Sequence, residues 1–136
     1  MDDLSAVKSE CGGADAVLAV LVIYGQKASQ SHAWKYVLHS LQSFSATQQD
    51  GVNNACVKVD AHPSLRLVHL LVYDNTHESQ WEEVFSRQKN ISYHHDKNNG
   101  GTAAAYLAAF SLANNFNCEW VLLLDQDTVL PNNYLV

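Results

Sequence analysis

Residues 120–124 read Trp-Val-Leu-Leu-Leu and run straight into Asp125-Gln126-Asp127. An apolar run this short, bounded by acids, is the pattern of a fully buried strand in a parallel sheet. Side chains alternate along an extended chain, but the chain turns as it leaves a sheet, so both carboxylates can converge on one spot. In open α/β sheets ligands bind outside the carboxyl ends of the strands, where these acids would sit. Two neighbouring carboxylates repel, and a hard divalent cation, Mg2+ or Mn2+, relieves the repulsion through oxygen ligation. The stretch therefore predicts a metal-assisted site for a phosphorylated substrate, with Asp125 and Asp127 as metal ligands.

The rest of the chain predicts a βαβαβαβ order. Residues 1–15 read as a flexible leader. Ala16 to Tyr24 is a continuous β-rich run ended by Gly25, read as a central strand. Trp34, Val37, Leu38, Leu41 and Phe44 fall on one stripe of an amphipathic helix with Ser31 as its N-cap. Residues 45–64 are a long polar connection, with a short element at Ala55–Val59. Leu65 to Tyr73 is a second buried strand stopping at Asp74-Asn75. Ser79-Gln80-Trp81-Glu82 matches a capping box and predicts a short helix packing Trp81, Val84 and Phe85. Ile91–His94 reads as a short edge strand. Lys97-Asn98-Asn99-Gly100-Gly101 is a turn with special backbone needs. A helix over Thr102–Asn115 should follow, packing Ala103, Tyr106, Leu107 and Phe110, and Glu119–Asp125 is the fourth strand. Such alternation implies a mainly parallel sheet.

Composition narrows the function. With 136 residues the chain suits one domain, and 47% hydrophobic residues can build a core. A formal charge of −6, without a Lys/Arg cluster, argues against nucleic-acid or anionic-membrane binding. Cys11, Cys56 and Cys118 are too few and too scattered for a disulfide framework or a zinc site, which suits a reducing cytoplasm. No signal peptide or apolar run of membrane-spanning length is present. The expected location is cytoplasmic, at most peripheral at the inner face of the membrane.

Each candidate has an ordinary alternative. Asp125 and Asp127 could be turn-forming acids. Asp74 and Asn75, on the same rim of a parallel sheet, could accept hydrogen bonds from a base or ribose, or form an Asx-turn. Asn98 and Gly100 open a helix whose N-terminus favours phosphate or sugar oxygens, yet the text is neither G-x-G-x-x-G nor a P-loop. The seven histidines lack metal-ligand spacing, and His94 and His95 would point to opposite faces. Trp34, Trp81 and Trp120 sit at core positions. No Ser or Cys occupies a nucleophile elbow.

Taken together, the ordered pieces resemble family 2 glycosyltransferases of the GT-A fold. The carriers are Val22-Ile23-Tyr24-Gly25, then Val72-Tyr73-Asp74-Asn75-Thr76, then Asn98-Asn99-Gly100 before an alanine-rich helix, and finally Leu124-Asp125-Gln126-Asp127 with Pro131. The D-Q-D form is most similar to the rhamnosyltransferase-type branch. The resemblance implies an α/β, three-layer, Rossmann-like nucleotide-diphospho-sugar transferase fold over residues 16–136, truncated after the D-x-D strand. It implies that Tyr24 and Asp74 line a nucleobase pocket, with Asn75 beside them. Asn98 and Gly100 would lie near the nucleotide, and Asp125 would contact ribose or metal. Asp127 would hold Mg2+ or Mn2+ against the diphosphate. The implied donor is a nucleoside-diphosphate sugar, such as one carrying rhamnose, and the acceptor a saccharide or lipid-linked saccharide for cell-surface polysaccharide.

Tyr24 is followed by Gly25-Gln26 where the family commonly has Asn-Arg or Asn-Lys. No catalytic base is assignable in this chain, because the family's base lies after the D-x-D strand. The expectation is a donor-binding half, with an exposed sheet edge that invites self-association. Asp125-Gln126-Asp127-Thr128-Val129-Leu130 also resembles the opening motif of haloacid-dehalogenase-type phosphatases, with Asp125 as nucleophile and Asp127 as acid/base. A third reading is a nucleotide-binding fragment without turnover.

Overall fold

In a computed structural model, which describes residues 13–41 and 65–131, four strands form one sheet. They are β1 (Gly13–Ile23), β2 (Arg66–Asp74), β3 (Ile91–His95) and β4 (Cys118–Asp125). The sheet order is β3-β2-β1-β4 and every pairing is parallel. The protein is thus α/β, with a sheet compatible with a Rossmann-like fold. Residues 42–64 and the expected element at Ala55–Val59 lie outside the described residues, as does Phe44.

β1 is the middle of the structure because its sequence suits nothing else. Residues 16–23 are aliphatic and all buried. Their alternation divides the core into two layers. Val17, Ala19, Leu21 and Ile23 face one side, with Leu67, Leu70, Val72 and Leu124 from the neighbouring strands. Leu18, Val20 and Val22 face the other, with Leu71 and Tyr73. A bulge in β2 switches faces between Leu67 and His69, opposite Val17 and Leu18. At the lower end the Arg66 guanidinium holds Asp15 at 2.8 Å. Residues 13–15 therefore belong to the sheet and not to a leader.

The first face is covered by α1 (34–41) and α2 (Val84–Arg87). Trp34, Val37 and Leu41 are buried as the stripe predicts. Ser31 does not cap α1 with its side chain. Its carbonyl accepts the Trp34 N–H at 3.4 Å, and its buried hydroxyl has no partner among the described residues. The capping box at 79–82 does not form either. Ser79 accepts the Trp81 N–H at 3.2 Å, while Glu82 accepts the Ser29 N–H at 3.0 Å. The carboxylate is drawn away to the loop after β1, so α2 spans only four residues. Phe85 is buried, stacked 5.1 Å from Tyr93 and edge-on to Trp34.

The second face is covered by α3 (Gly101–Asn115). Of the residues expected to face the sheet, only Tyr106 packs against the core. Ala105, Ala109 and Ala113 meet the sheet, whereas Leu107 is 68% and Phe110 49% exposed, and Ala103 is exposed too. Small side chains let helix and sheet approach closely, and that contact outcompetes presentation of the larger residues on the neighbouring stripe. Two further expectations fail for a related reason. β4 lies at an exposed sheet edge among the described residues, as expected, but it is not the fully buried strand its text suggests, since only its Leu124 is buried. Trp81 and Trp120 are about half exposed, at 48% and 53%, and only Trp34 is a core residue.

His69, under the end of α3, bonds Ser92 Oγ at 2.8 Å and lies tilted against the Phe116 ring, 4.5 Å between centroids. Burial pulls its imidazole down to about 4. The unfolded chain takes up that proton more readily, so this stability is present above about 6.5 and lost as the pH falls toward about 4. A His69→Gln variant should lose this acid-side slope in urea midpoint across pH 7 to pH 4. The alanine stripe gives a second expectation. Ala109→Leu should cost about 1–3 kcal/mol by overpacking, whereas Leu107→Ser should stay within about 0.5 kcal/mol. Urea unfolding of the two variants measures both.

Candidate functional site

All four strands run the same way, so the residues that leave them share one rim. The order 3-2-1-4 reverses direction between β1 and β4, which makes that gap the switch point where ligands bind in open α/β sheets. Tyr24 and the Asp125–Asp127 turn stand on its two sides. They are joined by Gln126, whose side-chain oxygen accepts the Tyr24 N–H at 2.8 Å and whose amide donates to the Tyr24 carbonyl at 3.1 Å. Its own carbonyl accepts the His32 N–H at 3.1 Å. Tyr24 keeps its ring in solvent, 60% exposed.

The D-Q-D turn is shaped by its own side chains. Asp125 Oδ1 accepts the Asp127 N–H at 3.1 Å and the Thr128 hydroxyl at 2.9 Å, and Thr128 Oγ1 accepts the Asp125 N–H at 3.1 Å. These bonds leave Asp125 Oδ2 and both Asp127 oxygens without a hydrogen bond among the described residues. Both acids are exposed at the rim. Exposed carboxylate oxygens on one turn are hard donors of the kind taken by Mg2+ or Mn2+, which use few protein carboxylates and fill the remaining positions with water and phosphate oxygens. No group of three or more His, Cys, Asp or Glu side chains that could hold a metal ion occurs among the described residues.

The next strand end is closed by the chain itself. Asp74 is fully buried. Its Oδ1 accepts the Thr76 N–H at 2.9 Å, and its Oδ2 accepts the Gln80 N–H at 2.7 Å and the Tyr93 hydroxyl at 2.6 Å. Burial works to raise its pKa, but the bonds from Tyr93, Gln80 and Thr76 outweigh burial and hold the carboxyl below its usual range. Burial and the adjacent Asp74 carboxylate push Tyr93 up to about 12. Asp74 thus fastens the 75–80 loop from beneath, while Asn75 is buried next to it. The Asn75 N–H bonds Ile23 O at 2.9 Å, and its Oδ1 accepts the Gly101 N–H at 3.4 Å. Thr76 Oγ1 accepts the Gly25 N–H at 2.8 Å, where Gly25 has φ +78.

The turn before α3 has the backbone its sequence predicts. Asn99 has φ +53 and Gly101 φ +84, both left-handed. Asp96 organises it, a residue the sequence reading passed over. Asp96 Oδ2 accepts the Tyr73 hydroxyl at 2.7 Å and the Gly100 N–H at 3.0 Å, and Oδ1 accepts the Asn98 N–H at 3.1 Å. The Tyr73 bond is the main reason its carboxyl sits below the usual range. A Cβ at Gly100 would lie 2.6 Å from Asp96 Oδ2 and 2.9 Å from the Ala104 Cβ, so only glycine fits. Asn98 and Gly100 are exposed at this end of the rim.

The predicted residues therefore occupy one continuous rim. Gln126 joins the D-Q-D turn to Tyr24, Thr76 joins Gly25 to the β2 end, and Asn75 joins that end to Gly101. The linking side chains Gln126, Thr76, Asp96 and Tyr93 were missed. Only Asp96 carried a legible signal, an Asp two residues before Asn98 and just ahead of a helix, as in an Asx-turn. Asp74→Asn should cost about 2 kcal/mol at neutral pH by unpairing buried donors. Because the folded carboxyl binds its proton less readily than the unfolded one, the wild type loses stability as the pH falls below about 4. The variant's urea midpoint should be flatter there.

No protein-family model matches the chain, and neither a curated protein nor a solved structure does.

Proposed function

We propose that the chain is the donor-binding part of a metal-assisted glycosyltransferase of the GT-A type, and that a nucleoside-diphosphate sugar occupies the gap between β1 and β4. One observation carries the reading: the Gln126 amide fixes the D-Q-D turn against the Tyr24 loop across the switch point. It leaves three carboxylate oxygens of Asp125 and Asp127 without a hydrogen bond, beside an exposed aromatic ring. In this reading Tyr24 stacks on a uracil or thymine base. Asn75 and the Asn98–Gly101 turn lie along the rim toward the ribose. Asp125 and Asp127 hold Mg2+ or Mn2+ on the diphosphate.

A bound cation would supply Lewis-acid stabilisation of the leaving nucleoside diphosphate. The chain's own residues bind and orient the donor. Asp74 acts beneath the rim, as the carboxylate that fixes the 75–80 loop, and does not reach the ligand. An inverting transfer also needs a base to take the acceptor proton, and no residue of the described rim is assigned that part.

Titration calorimetry tests the proposal. UDP or dTDP should bind in the presence of Mn2+, and the heat should vanish with EDTA or in Asp127→Ala. Tyr24→Ala should weaken binding by about 1–3 kcal/mol if the base stacks on the ring. No binding of either nucleotide with Mn2+ present would overturn the proposal. Hydrolysis of p-nitrophenyl phosphate dependent on Asp125 would favour the phosphatase instead.

A further inference from the structure

A cavity of about 350 Å3 lies on the α1 side of the sheet, lined by His32, Lys35, Tyr36, His39 and Leu130. Lys35 and Tyr36 lie four and three residues before His39, so each neighbours it on the surface of α1. His32 stands in the turn before the helix, and its N–H is bonded to the Gln126 carbonyl at 3.1 Å. Leu130 arrives four residues after Gln126. The cavity therefore adjoins the D-Q-D turn without including either of its acids.

The lining is unusual for this chain. Acids outnumber Lys and Arg by 14 to 8, yet no carboxylate of the described residues lines the cavity. Its described polar side chains are an ammonium, two imidazoles and a phenol, and the ammonium and imidazoles can donate hydrogen bonds to a ligand. Lys35 makes no ion pair among the described residues. A concave site with several donors and one fixed positive charge is complementary to a compact anion with several acceptor oxygens. Leu130 and the Tyr36 ring add apolar surface beside the donors, which suits an anion attached to a carbon body.

We propose that this cavity is a binding site for the phosphoryl group of an organic phosphomonoester, with Lys35, His32 and His39 as the donors and Leu130 and the Tyr36 ring against the carbon body. The site is separate from the nucleotide gap and does not rest on the glycosyltransferase reading. Its closeness to Gln126 means that a ligand there touches the same turn that presents Asp125 and Asp127.

The test titrates the full chain with phenyl phosphate and, in parallel, inorganic phosphate at constant ionic strength, following the imidazole NMR signals. Phenyl phosphate should shift His32 and His39 saturably, leave His94 and His95 in place, and bind more tightly than inorganic phosphate. Lys35→Ala and His39→Ala, both at exposed positions, should each weaken binding about tenfold. Asp127→Ala should leave it unchanged. The proposal is overturned by the absence of a saturable shift or by unchanged affinity in the Lys35→Ala/His39→Ala double variant. Equal or tighter binding of inorganic phosphate overturns the organic ligand. Loss of binding in Asp127→Ala would place the ligand at the D-Q-D turn and overturns the site.

Discussion

Burial of β1 on both faces and pairing along both of its edges constrain everything else in the structure. Eight consecutive aliphatic residues cannot present a polar side to water, so helices must cover the sheet above and below. Parallel neighbours then follow, because each helix returns the chain to the same end of the sheet. Every strand accordingly discharges its polar residues at one rim. The site is a by-product of that packing: the hydrophobic effect fixes the strand direction, and strand direction fixes where the carboxylates accumulate.

Along the rim, polar side chains divide into two kinds. Asp74 and Asp96 are consumed by the fold. Each accepts three hydrogen bonds, each receives a tyrosine hydroxyl, and each holds a loop in place. Asp125 and Asp127 are only partly consumed, since the turn they build uses one carboxylate oxygen. For Asp74 the difference is a matter of exposure, while Asp96 is only partly buried and is satisfied by the turn it organises. A buried carboxylate must be satisfied by the protein, whereas an exposed one can wait for a ligand. Chemical identity alone does not separate the two kinds, and this is why Asp74 and Asp125 look equivalent in the sequence.

The legible parts of the fold were those governed by continuous hydrophobicity or by backbone strain. β1, β2, the strand ending at Asp125 and the left-handed turn at Asn99 and Gly101 follow from local text. The orientation of α3 did not, because helical spacing defines stripes without ranking them. Two stripes were available, and the alanine stripe won on closeness of approach. The exposure of the β4 side chains was equally hidden, since an edge strand beside a helix can be as apolar as a central one, although an exposed sheet edge was itself expected. The capping motifs failed because Ser79 and Glu82 found partners remote in sequence. For the site, the two rim acids were legible from their spacing, but the Gln126 amide that ties them to Tyr24 was not. Nothing local distinguishes a glutamine that spans a gap of 102 positions from one that merely separates two acids.

β4 carries an acid near each end, Glu119 and Asp125, with an apolar span between them. Laid against a second copy of itself in a fully overlapped antiparallel register, centred on Leu122, the strand would set each Glu119 opposite an Asp125. Laid in parallel register it would set each acid beside its twin. Like charges directly across a ladder are destabilising. Either full-length pairing of two β4 strands along the edge they present among the described residues would therefore be opposed by charge at both ends, one of those charges being the carboxylate that marks the rim.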